Sequence, residues 1–324
     1  MDLNLQDYVV SYMDTLSKEI LKPLTICNSF GSDSNKISTE IFKVLSSREF
    51  TYFTRIKSEP YKDVVCNKIV NLLNNKKRLT FYLNLGGGYH ARTSGELSFE
   101  PGLSELLALF QVKKFICEIS KIYPLGVNFE IIIDNRCAEL ANGISIIDTT
   151  RYCDEFAQMI KKLGLSDSIK LTLESNLINK EDFNNEIIAL EKKFIPKISA
   201  RDIQNTHRFC NSTSTSDVNI LAEKYKIINK ISREISLRYS QGGIHLTQRA
   251  TESTFPFRSF PGGDSKIQCG KMALLLENGT IKKPFLITAN NIEYYNLTKI
   301  NLSEEFVIKN LLLGTLKKTP SRFY

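Results

Sequence analysis

The sequence lacks the signals that would place the chain in a membrane or outside the cell. It has no run of about 18 apolar residues, the length that a membrane-spanning helix needs. No basic flank precedes an apolar stretch at the amino terminus, so a secretory signal is not expected. The seven cysteines stand singly, without a CxxC pair, which favours reduced cysteines over disulfides. We therefore expect a cytoplasmic protein.

Motifs for common cofactors and nucleophiles are also missing. No Gly-Lys-Ser/Thr follows a glycine loop, which excludes a P-loop, and no GxSxG occurs, which argues against a Ser-His-Asp hydrolase. The three histidines, His90, His207 and His245, are isolated from one another and from the cysteines, so no metal site is expected. Residues 86–91 fit GxGxxA, but Pro101-Gly102 delay the helix that a dinucleotide site requires.

Positive charge is present but is not concentrated. The net charge is +8, yet the longest basic cluster is Lys76-Lys77-Arg78. Zinc-finger spacing and an aromatic-basic RNA-binding pattern are absent, so nucleic acid is not expected as a partner. A diffuse positive charge suits a small anionic partner, such as a phosphorylated metabolite.

The pattern that remains is that of an α/β protein. The predicted strands are 79–85, 127–133 and 168–173, and the helices after residue 75 are 103–122, 148–163, 180–194 and 216–238. This alternation is typical of a mostly parallel sheet flanked by helices. Asn278-Gly279, between two apolar segments, predicts an antiparallel edge hairpin over 271–277 and 280–288. We expect one continuous domain, in which a helical segment at 1–75 packs on an α/β unit at 76–324.

Ligands of open α/β sheets bind outside the carboxyl ends of the strands, and segment 86–94 follows the first strand directly. Its candidate site residues are Gly87, Gly88, His90, Arg92 and Ser94. The glycine N–H groups can cradle an anion, His90 can carry a proton, and Arg92 can grip a phosphate or carboxylate. The alternative is a flexible glycine turn without a ligand.

Two further regions carry candidate residues. Asp134 ends the second strand, where a carboxylate can orient an amine or act as a base, or can cap the chain. Segment 242–271 contains His245, Arg249, Arg258 and Lys266 together with prolines and glycines, which predicts a long loop suited to covering a phosphate. The alternative for this segment is a solvated basic surface.

Several motifs in the middle of the chain resemble those of the isocyanide (isonitrile) synthase family, also called the pyoverdine/dityrosine biosynthesis family. They are EPGLSELLAL at 100–109, FICEI at 115–119, YPLGV at 123–127, the strand end at Asp134, DTTRYCDEFAQM at 148–159 and Ile244-His245-Leu246. The resemblance covers residues 79–165 closely and residues 220–290 loosely.

The resemblance implies a Rossmann-like enzyme that needs no metal or organic cofactor. Such enzymes convert the amino group of an aromatic amino acid into an isonitrile, with ribulose 5-phosphate supplying the carbon, in natural-product biosynthesis. The implied roles are proton transfer by His90 or His245, binding of the substrate ammonium by Asp134, and binding of the phosphate or carboxylate by the basic candidates named above. An iron/2-oxoglutarate oxygenase is the implied functional partner, and no membrane or nucleic acid is involved.

The chain departs from the family in two places. The family has a Phe-Pro-x-Lys-Ser stretch where this chain has residues 88–94, so His90 or Arg92 stands near the position of the lysine. The family's Thr-Pro-Trp-His is also missing, because the chain has no tryptophan. These departures leave two alternatives: a divergent transferase or lyase acting on another phosphorylated molecule, and a non-catalytic binding protein on the same scaffold.

Overall fold

The computed structural model describes most of the chain between residues 33 and 257 and four strands beyond it. The described residues are 11, 14, 15, 18, 33–51, 59–85, 101, 103–200, 202, 203, 206, 218–247, 255–257, 271–277, 280–287, 295–300 and 311–316. The helices are α1 Ser34–Leu45, α2 Lys62–Asn74, α3 Leu103–Ser120, α4 Asn135–Asn142, α5 Ile146–Lys162, α6 Lys180–Glu191 and α7 Val218–Tyr239. The strands are β1 Leu79–Leu85, β2 Val127–Ile133, β3 Ile169–Leu173, β4 Ile244–Thr247, β5 Phe255–Pro256, β6 Lys271–Glu277, β7 Thr280–Ile287, β8 Tyr295–Ile300 and β9 Leu311–Leu316.

The first sheet contains five strands, all parallel, in the order β3-β2-β1-β4-β5. The predicted strands 79–85 and 127–133 are confirmed at both ends, and they pair in register from Leu79 with Val127 to Leu85 with Ile133. Helices connect β1 to β2, β2 to β3 and β3 to β4, as parallel strands require. The predicted α/β fold with a mostly parallel, helix-flanked sheet is therefore confirmed.

The two faces of this sheet differ in character. Phe81, Leu83, Phe129 and Ile131 join the main apolar core with residues of α1, α2, α3 and α5. Successive side chains of a strand point to opposite faces. The alternate positions of β1 and β2, such as Tyr82 and Glu130, therefore face α7, and both contact Tyr239 at the end of that helix. The main core thus lies on one face, and a more polar layer lies under α7.

Helix α5 begins earlier than the sequence predicts. The predicted helix starts at residue 148, but the N-cap is Ser145, whose Oγ accepts a hydrogen bond from Asp148 N at 3.1 Å. The Ser145 hydroxyl also donates to Asp148 Oδ2 at 2.9 Å, so serine and aspartate cap the helix together. The helix ends at Lys162, before Gly164 in the left-handed region (φ 66°).

Helices α1 and α2 pack on each other and contribute to the main apolar core. Ile41 and Leu45 of α1 and Ile69 of α2 are fully buried together with Phe81 of β1. The side of the sheet that carries α3 is therefore closed by segments from the first part of the chain. The division at residue 75 stays a prediction, and most of residues 1–32 lie outside the described residues.

The predicted hairpin is confirmed, but it lies in a different sheet from the one expected. Strands β6 and β7 pair antiparallel, with a register shift between Leu275 and Leu276. They belong to a separate four-stranded sheet of order β7-β6-β9-β8 rather than to the edge of the parallel sheet. Strand β6 pairs with β7 on one side and with β9, in parallel, on the other. Both edges of β6 are therefore occupied, and it cannot join the five-stranded sheet. No helix in the described part of the chain is long and apolar enough to cross a membrane.

Candidate functional site

Strands β1, β2 and β3 end at the same edge of the parallel sheet, and two acids follow them. Asp134 comes directly after β2 and Glu174 directly after β3. The Asp134 N–H donates to Leu85 O at 3.3 Å, so Asp134 lies beside the last residue of β1. The last described residue before segment 86–94, Leu85, therefore lies next to Asp134 at the carboxyl edge of the sheet.

Asp134 is half-buried and occupies the N-cap position of α4, but its side chain makes no capping hydrogen bond. The carboxylate of Asp134 therefore does not cap helix α4, which was the alternative role for this residue. The carboxylate is close enough to Cys153 of α5 to contribute, after burial and the Asp154 charge, to raising the pKa of that thiol to about 12. Cys153 is thus a neutral core residue rather than a nucleophile.

Glu174 is a residue that the sequence analysis did not single out. Its side chain is completely buried, and its Oε2 accepts a hydrogen bond from Cys137 N in the first turn of α4 at 2.8 Å. Burial raises the pKa of Glu174, while Ser232, the Cys137 N–H and Arg136 favour the ionised form. Its signal in the sequence was the one used for Asp134, an acid directly after a predicted strand.

The turn between β2 and α4 is tied to the end of β3 by a reciprocal pair of bonds. Asn135 Nδ2 donates to Ser175 Oγ at 2.9 Å, and Ser175 N donates to Asn135 Oδ1 at 2.9 Å. Asn135 is completely buried, so both bonds lie away from water. The backbone that carries Asp134 is therefore held in place from the neighbouring strand.

Helix α7 and the residue that follows it face the sheet with a stripe of buried serines at four-residue spacing, Ser232, Ser236 and Ser240. The Ser236 Oγ accepts a hydrogen bond from Asn84 Nδ2 at 2.7 Å, near the end of β1. Within the described residues, the Oδ1 atom of Asn84 has no hydrogen-bond partner, which leaves a buried acceptor one residue before the carboxyl end of β1.

His245 lies on strand β4, not in the long loop predicted over 242–271. Ile244 and Leu246 point into the main core, and this alternation places His245 on the face of α7. Its ring is 6% exposed, and its Nδ1 lies 2.8 Å from Ser240 Oγ. Burial, together with Arg233 and Lys68, lowers the pKa of His245 to about 4, so the imidazole is neutral at pH 7.

His245 stands in a polar row that crosses four strands. Lys170, Glu130, Tyr82 and His245 occupy paired positions on β3, β2, β1 and β4. Buried Glu130 accepts hydrogen bonds from Lys170 Nζ at 3.1 Å and from the Tyr239 hydroxyl at 2.7 Å. The row therefore anchors the end of α7 to the middle of the sheet.

The structure does not bring Asp134 and His245 together. His245 is in register with Tyr82 and Glu130, four positions before Asp134 on β2 and two strands away. At about 3.3 Å per residue and 4.8 Å between strands, roughly 16 Å separates their Cα atoms. His245 instead lines a cavity of about 520 Å³.

The remaining predicted site residues lie outside the described residues. They are Gly87, Gly88, His90, Arg92, Ser94, Arg249, Arg258 and Lys266. Their two segments leave the sheet after Leu85 of β1 and Thr247 of β4, which end on neighbouring parallel strands. The described residues contain no group of three or more His, Cys, Asp or Glu side chains arranged to hold a metal ion.

Comparison with known proteins finds a family-model match over part of the chain and a likeness to a solved structure. Residues 94–236 match the sequence model of the family described as pyoverdine/dityrosine biosynthesis protein, which confirms the resemblance named from the motifs. The crystal structure of the PvcA protein from Pseudomonas aeruginosa is similar with a TM-score of 0.62 at 13% identity, covering 87% of this chain and 100% of that chain. That likeness shows the fold.

Weaker likenesses extend to aminoacyl-tRNA synthetases. The tyrosyl-tRNA synthetase from Aeropyrum pernix has a TM-score of 0.32 at 11% identity, covering 65% of this chain and 52% of that chain. The tryptophanyl-tRNA synthetase from Plasmodium falciparum has a TM-score of 0.33 at 15% identity, covering 72% of this chain and 55% of that chain. No curated protein matches the chain in sequence.

Proposed function

We propose, from the match of residues 94–236 to the pyoverdine/dityrosine biosynthesis family, that the chain is an isonitrile synthase-like enzyme. It would condense the amine of an amino acid with the ketone of ribulose 5-phosphate in natural-product biosynthesis. The observation that carries the proposal is the place of Asp134: beside the end of β1, at the carboxyl edge of a parallel sheet, with its backbone fixed by Asn135.

The residues have distinct roles in this reaction. Asp134 holds the substrate ammonium and takes one of its protons, which frees the nitrogen lone pair to attack the ketone. His90, four residues into the segment that starts beside Asp134, supplies a proton to the departing oxygen as the imine forms. The phosphate would be bound by the cationic side chains Arg92, Arg249, Arg258 and Lys266. Gly87, Gly88 and Ser94 would contribute N–H and hydroxyl groups to the same phosphate. Loss of phosphate and carbon–carbon cleavage complete the sequence.

His245 is not within reach of the same reacting atoms. Proton transfer requires heavy atoms about 2.6–3.2 Å apart, directly or through one water, and roughly 16 Å separates the backbones of His245 and Asp134. We therefore assign the proton transfer to His90 rather than to His245. Loss of turnover in His90→Gln with retained turnover in His245→Gln is the expected outcome.

One observation favours a second candidate function. The family lysine is absent from residues 88–94, and arginine cannot replace it as a base or in a Schiff base. A divergent transferase or lyase, or a binding protein, acting on another phosphorylated molecule would use the same edge. A thermal-shift panel of sugar phosphates distinguishes the two, because a bound ligand raises the unfolding temperature. Stabilisation by several phosphates but not by ribulose 5-phosphate favours the second candidate.

The test of the main proposal is a matched pair of variants. Asp134→Asn should reduce turnover of an aromatic amino acid with ribulose 5-phosphate by about 10²-fold or more. Asp154→Asn, the same change at an exposed position of α5, should leave turnover unchanged. Both variants should unfold at the wild-type temperature. Full activity in Asp134→Asn would show that the role given to Asp134 is wrong.

A further inference from the structure

The cavity beside His245 is not used by the proposed reaction. It lies between α2, the last two turns of α7 and the start of β4, and its volume of about 520 Å³ is in the range of small-molecule sites. Its lining residues are Lys68, Glu234, Leu237, Arg238, Ser240, Gln241 and His245. A pentose phosphate whose ketone lies at Asp134 is too short to reach it.

The cations of this cavity lie on two sides. Lys68 is half-buried, and its Nζ donates to Gly243 O at 3.1 Å, which leaves further N–H groups for a ligand. Arg238 binds Glu186 at 2.6 Å through Nη2, and the rest of its guanidinium can donate elsewhere. The buried ring of His245, which is hydrogen-bonded to Ser240, adds a neutral polar group to the lining. These groups suit a carboxylate.

The same cavity also carries groups that attract a positive charge. Glu234 lines it, and its pairing with Lys230 is long, at 4.0 Å. Helix α7 ends at Tyr239, and the carbonyl end of a helix carries a partial negative charge that stabilises cations. Leu237 supplies an apolar part of the wall. An ammonium group is therefore as well matched here as a carboxylate.

We propose that this cavity is a second binding site, separate from the carboxyl edge, for a small zwitterion of the α-amino acid class. Lys68 and Arg238 bind the carboxylate, Glu234 and the end of α7 bind the ammonium, and Leu237 contacts the side chain. The end of α7 is fixed for this purpose by the bond from Tyr239 to Glu130. The site does not depend on the chain being an isonitrile synthase.

The test follows the imidazole resonances of the full chain, labelled at its three histidines and assigned with His245→Gln. Three probes share one isobutyl group: L-leucine, 4-methylpentanoate without the ammonium, and 3-methylbutylamine without the carboxylate. L-leucine should shift the His245 resonance saturably. Each singly charged analogue should bind at least about tenfold more weakly, since one charged contact is lost.

Matched variants assign the two charges. Lys68→Met should weaken the binding of leucine and 4-methylpentanoate but not of 3-methylbutylamine, and Glu234→Gln should do the reverse. Lys43→Met and Glu40→Gln, the same changes in an ion pair on α1, should alter none of the three. If Lys68→Met unfolds, the three probes on the wild-type chain still decide between a zwitterion and an anion.

Three results would overturn the proposal: no saturable shift of His245 with leucine, equal affinity for leucine and 4-methylpentanoate, or loss of the shift in Asp134→Asn. The last would place the amino acid at the carboxyl edge alone. Conversely, a chain inactive with ribulose 5-phosphate that still binds leucine beside His245 would refute the proposed reaction and leave this site standing.

Discussion

Asn84 on β1 donates a hydrogen bond of 2.7 Å to Ser236 in the last turn of α7, and both groups lie between helix and sheet. Ser232 and Ser240, one turn before and one turn after, have polar partners in Glu174 and His245. Small hydroxyl side chains let α7 lie close to the sheet while satisfying buried polar groups. This stripe connects the carboxyl edge with the cavity beside His245.

The first prediction concerns this bond. Asn84→Ala or Ser236→Ala leaves a buried partner without its hydrogen bond, so each should lower the free energy of unfolding by about 1–3 kcal/mol. Chemical denaturation measures this change in the free energy of unfolding. The double variant should cost less than the sum of the single ones, because the second change removes the group left unpaired by the first. Strict additivity would show that the two residues do not stabilise each other.

Two adjacent glycines before β4 give the second prediction. A Cβ on Gly243 would overlap the carbonyl oxygen of Thr80 and lie 2.8 Å from Tyr82 Cε2, whereas a Cβ on Gly242 would meet no atom within 4 Å. Gly243→Ala should therefore destabilise the fold by about 1–3 kcal/mol or more, because β1 must shift. The free energy of unfolding of Gly242→Ala should lie within about 0.5 kcal/mol of the wild-type value. Equal effects in the two variants would contradict the close approach at Gly243.

Glu174 gives a prediction about pH. Its pKa is raised by burial above the ordinary value of 4.5, so the folded state holds its proton more tightly than the unfolded state. Its contribution to stability therefore falls as pH rises above 4.5. Glu174→Gln keeps an acceptor for Cys137 N without the charge, so it should gain stability relative to wild type between about pH 4 and pH 7. Urea unfolding at both pH values measures the difference, and a loss at pH 7 would contradict the account.

His245 gives a second prediction about pH, because its pKa is shifted downward whereas that of Glu174 is shifted upward. Its pKa of about 4 lies below the ordinary 6.5, so the unfolded state binds the proton more tightly. The stability it contributes is complete above pH 6.5 and is lost as pH falls to 4, amounting to about 3 kcal/mol. The difference in unfolding free energy between wild type and His245→Gln should shrink by about that amount over this range. A constant difference would mean that the histidine is not desolvated.

The elements of the parallel sheet could be predicted from the sequence because their signals are local. The segment LTFYLNL is short, aromatic and followed by three glycines, and VNFEIII is nearly continuously apolar, as a strand covered on both faces requires. Asp134 was found by its place after such a strand. Glu174 is also an acid directly after a predicted strand, 168–173. That strand is less apolar than VNFEIII, so its carboxyl end is a weaker indication of a site.

Other features depend on contacts between distant parts of the chain. The glycines around β4 suggested a loop, and only pairing with β1 makes Ile244–Thr247 a buried strand. The serine stripe of α7 looks like a polar helix face until Asn84 and His245 are placed opposite it. The hairpin was recognised from its turn, but its sheet is chosen by β9, about 25 residues beyond the hairpin. Such pairings are set by tertiary packing and leave no local pattern.

The most direct test of the proposed reaction uses ribulose 5-phosphate carrying ¹³C at its ketone carbon, incubated with the full chain and tyrosine or tryptophan. The ketone carbon is the atom that the amine attacks, so mass spectrometry should find an isonitrile product that contains the label. Asp134→Asn should form none of it, while Asp154→Asn should match wild type. An unlabelled product, or no product from a folded wild-type chain, would contradict the proposed condensation.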